Sequence, residues 1–105
     1  MDQEQAAASL AELGNTHRLA VFRFLVKAGH EGALVGDIQR ALGIPASTLS
    51  HHLARMARVG LIRQEKRSRT IVCIPEYAHL EELIGFLREE CCVGIDKAEP
   101  AHPAP

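Results

Sequence analysis

Apolar residues recur along this chain with two different periods, and the change from one to the other divides it. Residues 3–13 form an Ala-rich stretch whose apolar positions are Ala7, Leu10, Ala11 and Leu13. Gly14-Asn15 ends it, and Asn15 or Thr16 can cap the helix that follows. Residues 19–27 carry Leu19, Phe22, Leu25 and Val26 at helical spacing, which puts Phe22 in the core and leaves Arg18, Arg23 and Lys27 facing water. Gly29 and Gly32 bound a loop. Asp37, Ile38, Ala41 and Leu42 then predict a short amphipathic helix, broken by Gly43-Ile44-Pro45. Residues 46–59 resume the helical spacing with Leu49, Leu53, Met56 and Ala57 inward, and Gly60 closes the run. The opposite face near its start holds Ser47, Thr48, Ser50 and His51, short hydrogen-bonding side chains rather than a salt-bridged surface. Two helices, a turn of three residues containing Gly, and a polar leading edge on the second helix describe a helix-turn-helix of the kind that reads DNA.

After Gly60 the pattern becomes β-prone. Residues 61–65 and 70–74 are short strand-like runs, and the cationic turn Lys66-Arg67-Ser68-Arg69 joins them. A hairpin directly after a recognition helix is the wing of a winged helix. Pro75 stops the second strand. Residues 76–92 read as a last helix, with Leu80, Leu83, Ile84 and Leu87 as an apolar stripe and an acidic opposite face. Such a stripe on a terminal helix needs a partner, and in a chain this short a second copy supplies one. Residues 94–105 are short of apolar side chains and end in Pro100, Pro103 and Pro105, so a disordered tail is expected there. The expectation is therefore one domain over residues 1–93, mainly α with a two-stranded β-hairpin wing, winged helix-turn-helix in type and homodimeric.

Composition sharpens this through its distribution rather than its totals. The formal charge of −1 does not by itself suggest nucleic acid. Yet six of the twelve Lys and Arg lie in residues 55–69 with only Glu65 against them, while residues 76–99 hold seven of the thirteen acids. A local basic patch of this kind survives a neutral total. No segment has the length of a membrane span, and no signal peptide is evident at the start. Three cysteines, two of them adjacent, do not make an extracellular disulfide framework, and a reducing cytoplasm fits them better.

The order of elements, with the runs NTHRLAVFRFL and STLSHHLARMARVGLI and the basic wing, resembles the ArsR/SmtB family of bacterial metal- and metalloid-responsive repressors. The resemblance spans roughly residues 6–92, and SHHL followed by GLI is its most specific part. It implies a homodimer held by the first and last helices, an operator containing an imperfect inverted repeat, and a repressor that leaves DNA when an inducer binds. By matching position, Ser47, Thr48, Ser50 and His51 would face base edges, and Arg63, Lys66, Arg67 and Arg69 would contact phosphates or the minor groove. Two family sites do not carry over. Arsenic sensors often have a Cys-Val-Cys motif on the first helix of the helix-turn-helix, where this chain reads Leu34-Val35-Gly36-Asp37-Ile38. Zinc sensors pair Asp/His and His/Glu ligands along the last helix, where His79 is the only histidine here.

What remains for chemistry is the vicinal pair Cys91-Cys92. Adjacent residues on an ideal helix point about 100° apart, so both sulfurs reach one atom easily only where a helix frays. Soft ions select thiolates. A trivalent arsenic or antimony centre is soft and needs only two or three ligands, and the pair resembles that of family members sensing such metalloids, a methylated arsenical among the candidates. Zinc would require four ligands in a tetrahedron. Cys73, on the second wing strand, is expected to be a small buried residue, with a third-ligand role open only if the wing approached the end of the last helix. His52 is expected to pack and His51 to contact DNA. A thiol-redox or reactive-sulfur response of the same repressor is the alternative; Glu89, Glu90 and the negative end of the helix dipole disfavour a nucleophilic thiolate and weigh against it. A dithiol enzyme lacks a Cys-x-x-Cys motif and a βαβ context, so no enzymatic activity and no constitutive cofactor are expected.

Overall fold

Each turn of chain between the first elements is fixed by a local cap. In the computed structural model, which describes residues 1–95, α1 spans Gln3–Leu13 and opens with a capping box: the Asp2 carboxylate accepts from the Gln5 amide at 2.8 Å, and the Gln5 side chain accepts from the Asp2 amide. Asn15 caps α2 (Thr16–Ala28) by accepting from the Arg18 amide at 3.1 Å. α3 (Val35–Leu42) ends at Gly43, whose φ of 65° lets its amide reach back to the Gln39 carbonyl. Ile44, 5% exposed, plugs the turn into the core before α4 (Ala46–Arg58) begins. The hairpin follows as β2 (Ile62–Arg67) and β3 (Thr70–Pro75), and α5 (Tyr77–Arg88) completes the order.

The expected hairpin is present with a tighter turn than the composition suggested. Pairing continues to Arg67↔Thr70, so Lys66 and Arg67 belong to β2 and only Ser68-Arg69 form the turn, Ser68 taking a left-handed φ of 58°. A third strand, β1 (Ala33–Leu34), adds to the far side of β3 with Ala33↔Cys73 and Leu34↔Val72, giving the antiparallel order β1-β3-β2. Gly32 permits this: at φ 73° a Cβ there would lie 2.4 Å from the Cys73 carbonyl oxygen.

The core sits between α2, the helix-turn-helix and the sheet. Val21, Phe22, Leu25, Ile38, Leu49, Leu53, Met56 and Leu61 are its buried members, with Cys73 among them. Several expectations shift here. Arg18 does not face water: it is 8% exposed and turned toward α1 and α4, while Leu19 and Val26 are the residues left on the surface. On α1 the buried positions are Ala6, Ser9 and Glu12, and Ala7, Leu10 and Ala11 are outward. The α5 stripe splits, with Leu83 at 3% exposure in this chain's own core, Leu80 partly buried against it, and Ile84 and Leu87 exposed. α5 also stops at Arg88, four residues before the expected end at Cys92. Of the expected disordered tail, residues 96–105 lie outside the described residues.

Candidate nucleic-acid interface and thiol pair

α4 is held on two sides and open on the third. Leu49, Leu53 and Met56 anchor it in the core, and His52 and Arg55 turn toward α1 and α2. Ser47, Thr48, Ser50 and His51 are all exposed, and no side chain caps the start of the helix, so its first amides point outward as well. A rigid helix that presents short donors and acceptors with free amides at its leading end suits a groove lined by base edges and phosphates.

The wing lies beside this face. Ser50 of α4 and Arg69 of the hairpin turn line one half-open groove of about 380 Å³, together with Arg40 of α3, Gln64 of β2 and the apolar Leu53 and Ile71. The four expected phosphate-contacting cations are unequal. Arg67 pairs with Glu65 at 2.7 Å, and Arg63 pairs with Glu65 at 3.0 Å and with Glu76 at 2.5 Å. The two guanidiniums hold the Glu65 carboxyl below its ordinary range, Arg67 most strongly, and the carboxylates raise Arg63 in turn. Arg63 and Arg67 must exchange these partners to meet a phosphate. Lys66 and Arg69 carry no ion pair among the described residues, so neither would need such an exchange.

Behind α4 lies a charged network that apolar periodicity does not reveal. Glu12 is 8% exposed and accepts from Arg55 Nε and Nη2, both at 2.9 Å at closest approach. Hydrogen bonding by Arg55 is the largest cause holding the Glu12 carboxyl below its ordinary range. Arg18 Nε donates to the Glu12 carbonyl oxygen at 2.6 Å, and its Nη1 lies 3.5 Å from His52 Nδ1. His52 is buried with Nε2 unpartnered among the described residues; desolvation, and next the charge of Arg18, push its pKa down and favour the neutral ring. The one sequence signal for this network is the spacing of Ala6, Ser9 and Glu12, which places two polar residues on the inner face of α1.

Cys91 and Cys92 follow α5 in a turn rather than in a helix. The Cys91 amide donates to the Arg88 carbonyl at 3.0 Å, and Glu90 and Cys92 take left-handed φ values of 62° and 63°. This backbone removes the angular separation of a regular helix and sets the two exposed sulfurs 3.3 Å apart. Cys73 is elsewhere: it is 0% exposed in the core, burial pushes its thiol pKa up, and Gln64 Nε2 donates to its sulfur at 3.7 Å. Among the described residues no three His, Cys, Asp or Glu side chains gather with metal-binding spacing. His79 is bonded instead to Ser9, Nε2 to Oγ at 2.7 Å.

Known proteins agree with this architecture. A family model described as a helix-turn-helix domain, HTH_20, matches residues 13–65. The HTH-type transcriptional regulator YgaV of Escherichia coli strain K12 is 33% identical over 89 residues, covering 85% of this chain and 88% of that protein. The crystal structure of an ArsR family transcriptional regulator superposes with a TM-score of 0.73 at 22% identity, over 86% of this chain and 90% of that one. HlyU from Vibrio cholerae N16961 superposes with a TM-score of 0.68 at 26% identity, over 88% of this chain and 99% of its own, and a structure of reduced HlyU gives 0.67. Among the described residues no helix is long and apolar enough to cross a membrane. With its helix-turn-helix, its wing and these relatives, the chain belongs to the ArsR family of winged helix-turn-helix transcriptional regulators.

Proposed function

We propose that this regulator is a repressor that binds operator DNA as a homodimer in the cytoplasm, and that trivalent arsenic or antimony releases it by binding Cys91 and Cys92. The observation that carries the reading is the pair of exposed sulfurs 3.3 Å apart. Two thiolates each about 2.3 Å from a common ion, the length of a zinc–sulfur bond, stand this far apart when the angle between them is about 92°. Zinc would want four ligands, and among the described residues no group of three His, Cys, Asp or Glu gathers to supply them, which favours a centre that needs only two or three. The exchange balances without an oxidant: arsenous acid, As(OH)₃, gives up two hydroxides, each leaving as water with one thiol proton, and gains two As–S bonds. The homodimer is supported by the exposed apolar residues Leu10, Ile84 and Leu87 on α1 and α5, two helices that pack against each other.

Fluorescence anisotropy of labelled operator DNA, titrated with arsenite, antimonite and a methylated arsenical, tests the reading. Release by at least one of these at micromolar concentration, and retention with equimolar zinc, is the expected result. No release by any of the three sinks metalloid sensing.

A second reading follows from the same contact. Sulfurs 3.3 Å apart are also placed for oxidation to a disulfide, in which a peroxide takes two electrons and both thiol protons and leaves as two waters; the S–S distance then closes to about 2.05 Å. HlyU, 26% identical, has been solved in a form described as reduced. Peroxide and polysulfide arms in the same titration, each followed by dithiothreitol, separate this response from metalloid binding.

A further inference from the structure

One face of α1 joins the two helices on which the proposed function depends. Its buried positions recur every three residues as Ala6, Ser9 and Glu12, while the apolar Ala7, Leu10 and Ala11 lie outward. Ser9 Oγ meets His79 Nε2 of α5 at 2.7 Å. One turn later Glu12 takes the fork of Arg55 on α4, with Nε at 2.9 Å and Nη2 at 2.9 Å on its two carboxylate oxygens. Arg18 Nε donates to the Glu12 carbonyl and Arg18 Nη1 reaches His52, which precedes Arg55 by three residues and so shares its face of α4.

Apolar packing and this network restrain different motions. The contacts of Leu49, Leu53 and Met56 hold α4 in place and fix which face is inward, but burial of apolar surface is non-directional and restrains small rotations of the helix about its axis less sharply than a directional bond does. A bidentate guanidinium–carboxylate pair fixes direction as well as distance. Arg55 is also a side chain that, left 42% exposed on a DNA-reading helix, could serve a phosphate; Glu12 keeps it turned to α1 instead. We propose that Glu12 is a positioning residue for DNA reading: through Arg55, and through Arg18 on His52, it sets the rotation of α4 relative to α1, and with it the direction in which Ser47, Ser50 and His51 face. The inference rests on α4 being the DNA-reading helix.

The test uses the full chain and compares wild type with Glu12→Gln, which keeps size and removes charge. Binding is measured to an operator selected from random DNA by the wild-type protein and to a scrambled duplex, over a series of salt concentrations. Hydrogen exchange of the α4 amides is measured in the free protein. Glu12→Gln should weaken operator binding at least tenfold and leave scrambled DNA bound as tightly or more tightly. The freed Arg55 should steepen the salt dependence on scrambled DNA by about 0.9 in slope, one phosphate contact. Exchange should rise along α4 ahead of α2. Equal loss on both DNAs, or unchanged operator binding with unchanged α4 exchange, overturns the proposal. If Glu12→Gln fails to fold, Arg55→Lys keeps the charge on a part-exposed site and removes the fork, and the same operator-selective loss is required of it. A wild type that does not discriminate its selected operator would sink DNA reading by α4, and the exchange measurement would still decide whether Glu12 orders that helix.

Discussion

Replacing Leu87 by aspartate should separate the subunits without unfolding them. Leu87 lies on α5 with 60% of its surface exposed, one turn from Ile84 at 38%, and Leu10 of α1 is exposed to 41%. Full burial of a leucine contributes about 1.5–3 kcal/mol, so covering the exposed 60% of Leu87 in a dimer is worth about 1–2 kcal/mol. A twofold interface uses the residue twice, which raises this to about 2–4 kcal/mol, or a dissociation constant about 30- to 900-fold weaker when the contact is lost. Burying two carboxylates adds to the penalty. Because Leu87 makes little contact within its own chain, the melting temperature of the monomer should barely change. Leu83→Asp cannot serve this purpose, since Leu83 is 3% exposed in the core and the charge would unfold the chain. Sedimentation equilibrium over a hundredfold concentration range, with circular dichroism melts of both proteins, reads the outcome. A Leu87→Asp protein that associates as tightly as wild type would refute the interface and the reasoning from exposure.

Four further outcomes follow from the structure. Cys91→Ser and Cys92→Ser should each keep operator affinity and lose release by the metalloid, while Cys73→Ser keeps both and lowers urea stability by about 1–3 kcal/mol, the cost of burying a hydroxyl without assured partners. Arg69→Ala should reduce the salt slope by about 0.9 on operator and scrambled DNA alike, whereas Ser50→Ala should cost about 1–3 kcal/mol on the operator selectively. His52 has its pKa lowered from 6.5 by burial and by Arg18, with His17, His51 and Arg55 also adding positive field. The folded state therefore prefers the neutral ring: its contribution is complete above pH 6.5 and is lost as pH falls through the lowered value, so thermal stability should decline from pH 7.5 toward pH 5. In His52→Gln that part of the decline should disappear from the calorimetric profile. Gly32→Ala, forced to φ 73° with its Cβ 2.4 Å from the Cys73 carbonyl, should destabilise by about 2 kcal/mol or more in urea unfolding.

What the sequence made legible was whatever repeats. The helical spacing of Leu49, Leu53 and Met56, and the break at Gly43-Ile44-Pro45, placed the helix-turn-helix because a buried stripe and a helix stop each have a residue signature. β1 has none: two residues, Ala33 and Leu34, are too few to show a period, and only the close approach allowed by Gly32 pairs them with β3. The end of α5 is hidden in the sequence for a related reason. Residues 89–92 contain neither Gly nor Pro, yet the helix stops at Arg88 and the chain turns through left-handed Glu90 and Cys92. The polar interior of α1 defeats hydrophobic patterning altogether. Ser9 and Glu12 look like solvated positions until α4 and α5 bring Arg55 and His79 to them, contacts 43 and 70 residues away in sequence. The exposure of Ser47, Thr48, Ser50 and His51 is easier to read, because it requires only that they lie on the side of α4 away from its own core.

The same arrangement bears on how a small ligand could dislodge a dimer from DNA. Two recognition helices must enter major grooves about one helical turn apart, roughly 34 Å, so each α4 has to be fixed with respect to the subunit interface and not merely within its own core. α1 is the element positioned to do that: its outer face carries the exposed Ala7, Leu10 and Ala11, and its inner face holds α5 by Ser9–His79 and α4 by Glu12–Arg55. The thiol pair begins three residues beyond the end of α5. A chelate closing there constrains the last turn of a helix whose exposed Ile84 and Leu87 belong to the proposed interface, and any shift of α5 acts on α1 through His79. The coupling required is modest. A hundredfold loss of DNA affinity needs about 2.7 kcal/mol, within the usual range for allosteric proteins. Reciprocity then makes a strict demand: operator DNA must weaken metalloid binding by the same hundredfold. An inducer affinity unaltered by saturating operator would mean that Cys91 and Cys92 bind their ligand without speaking to α4.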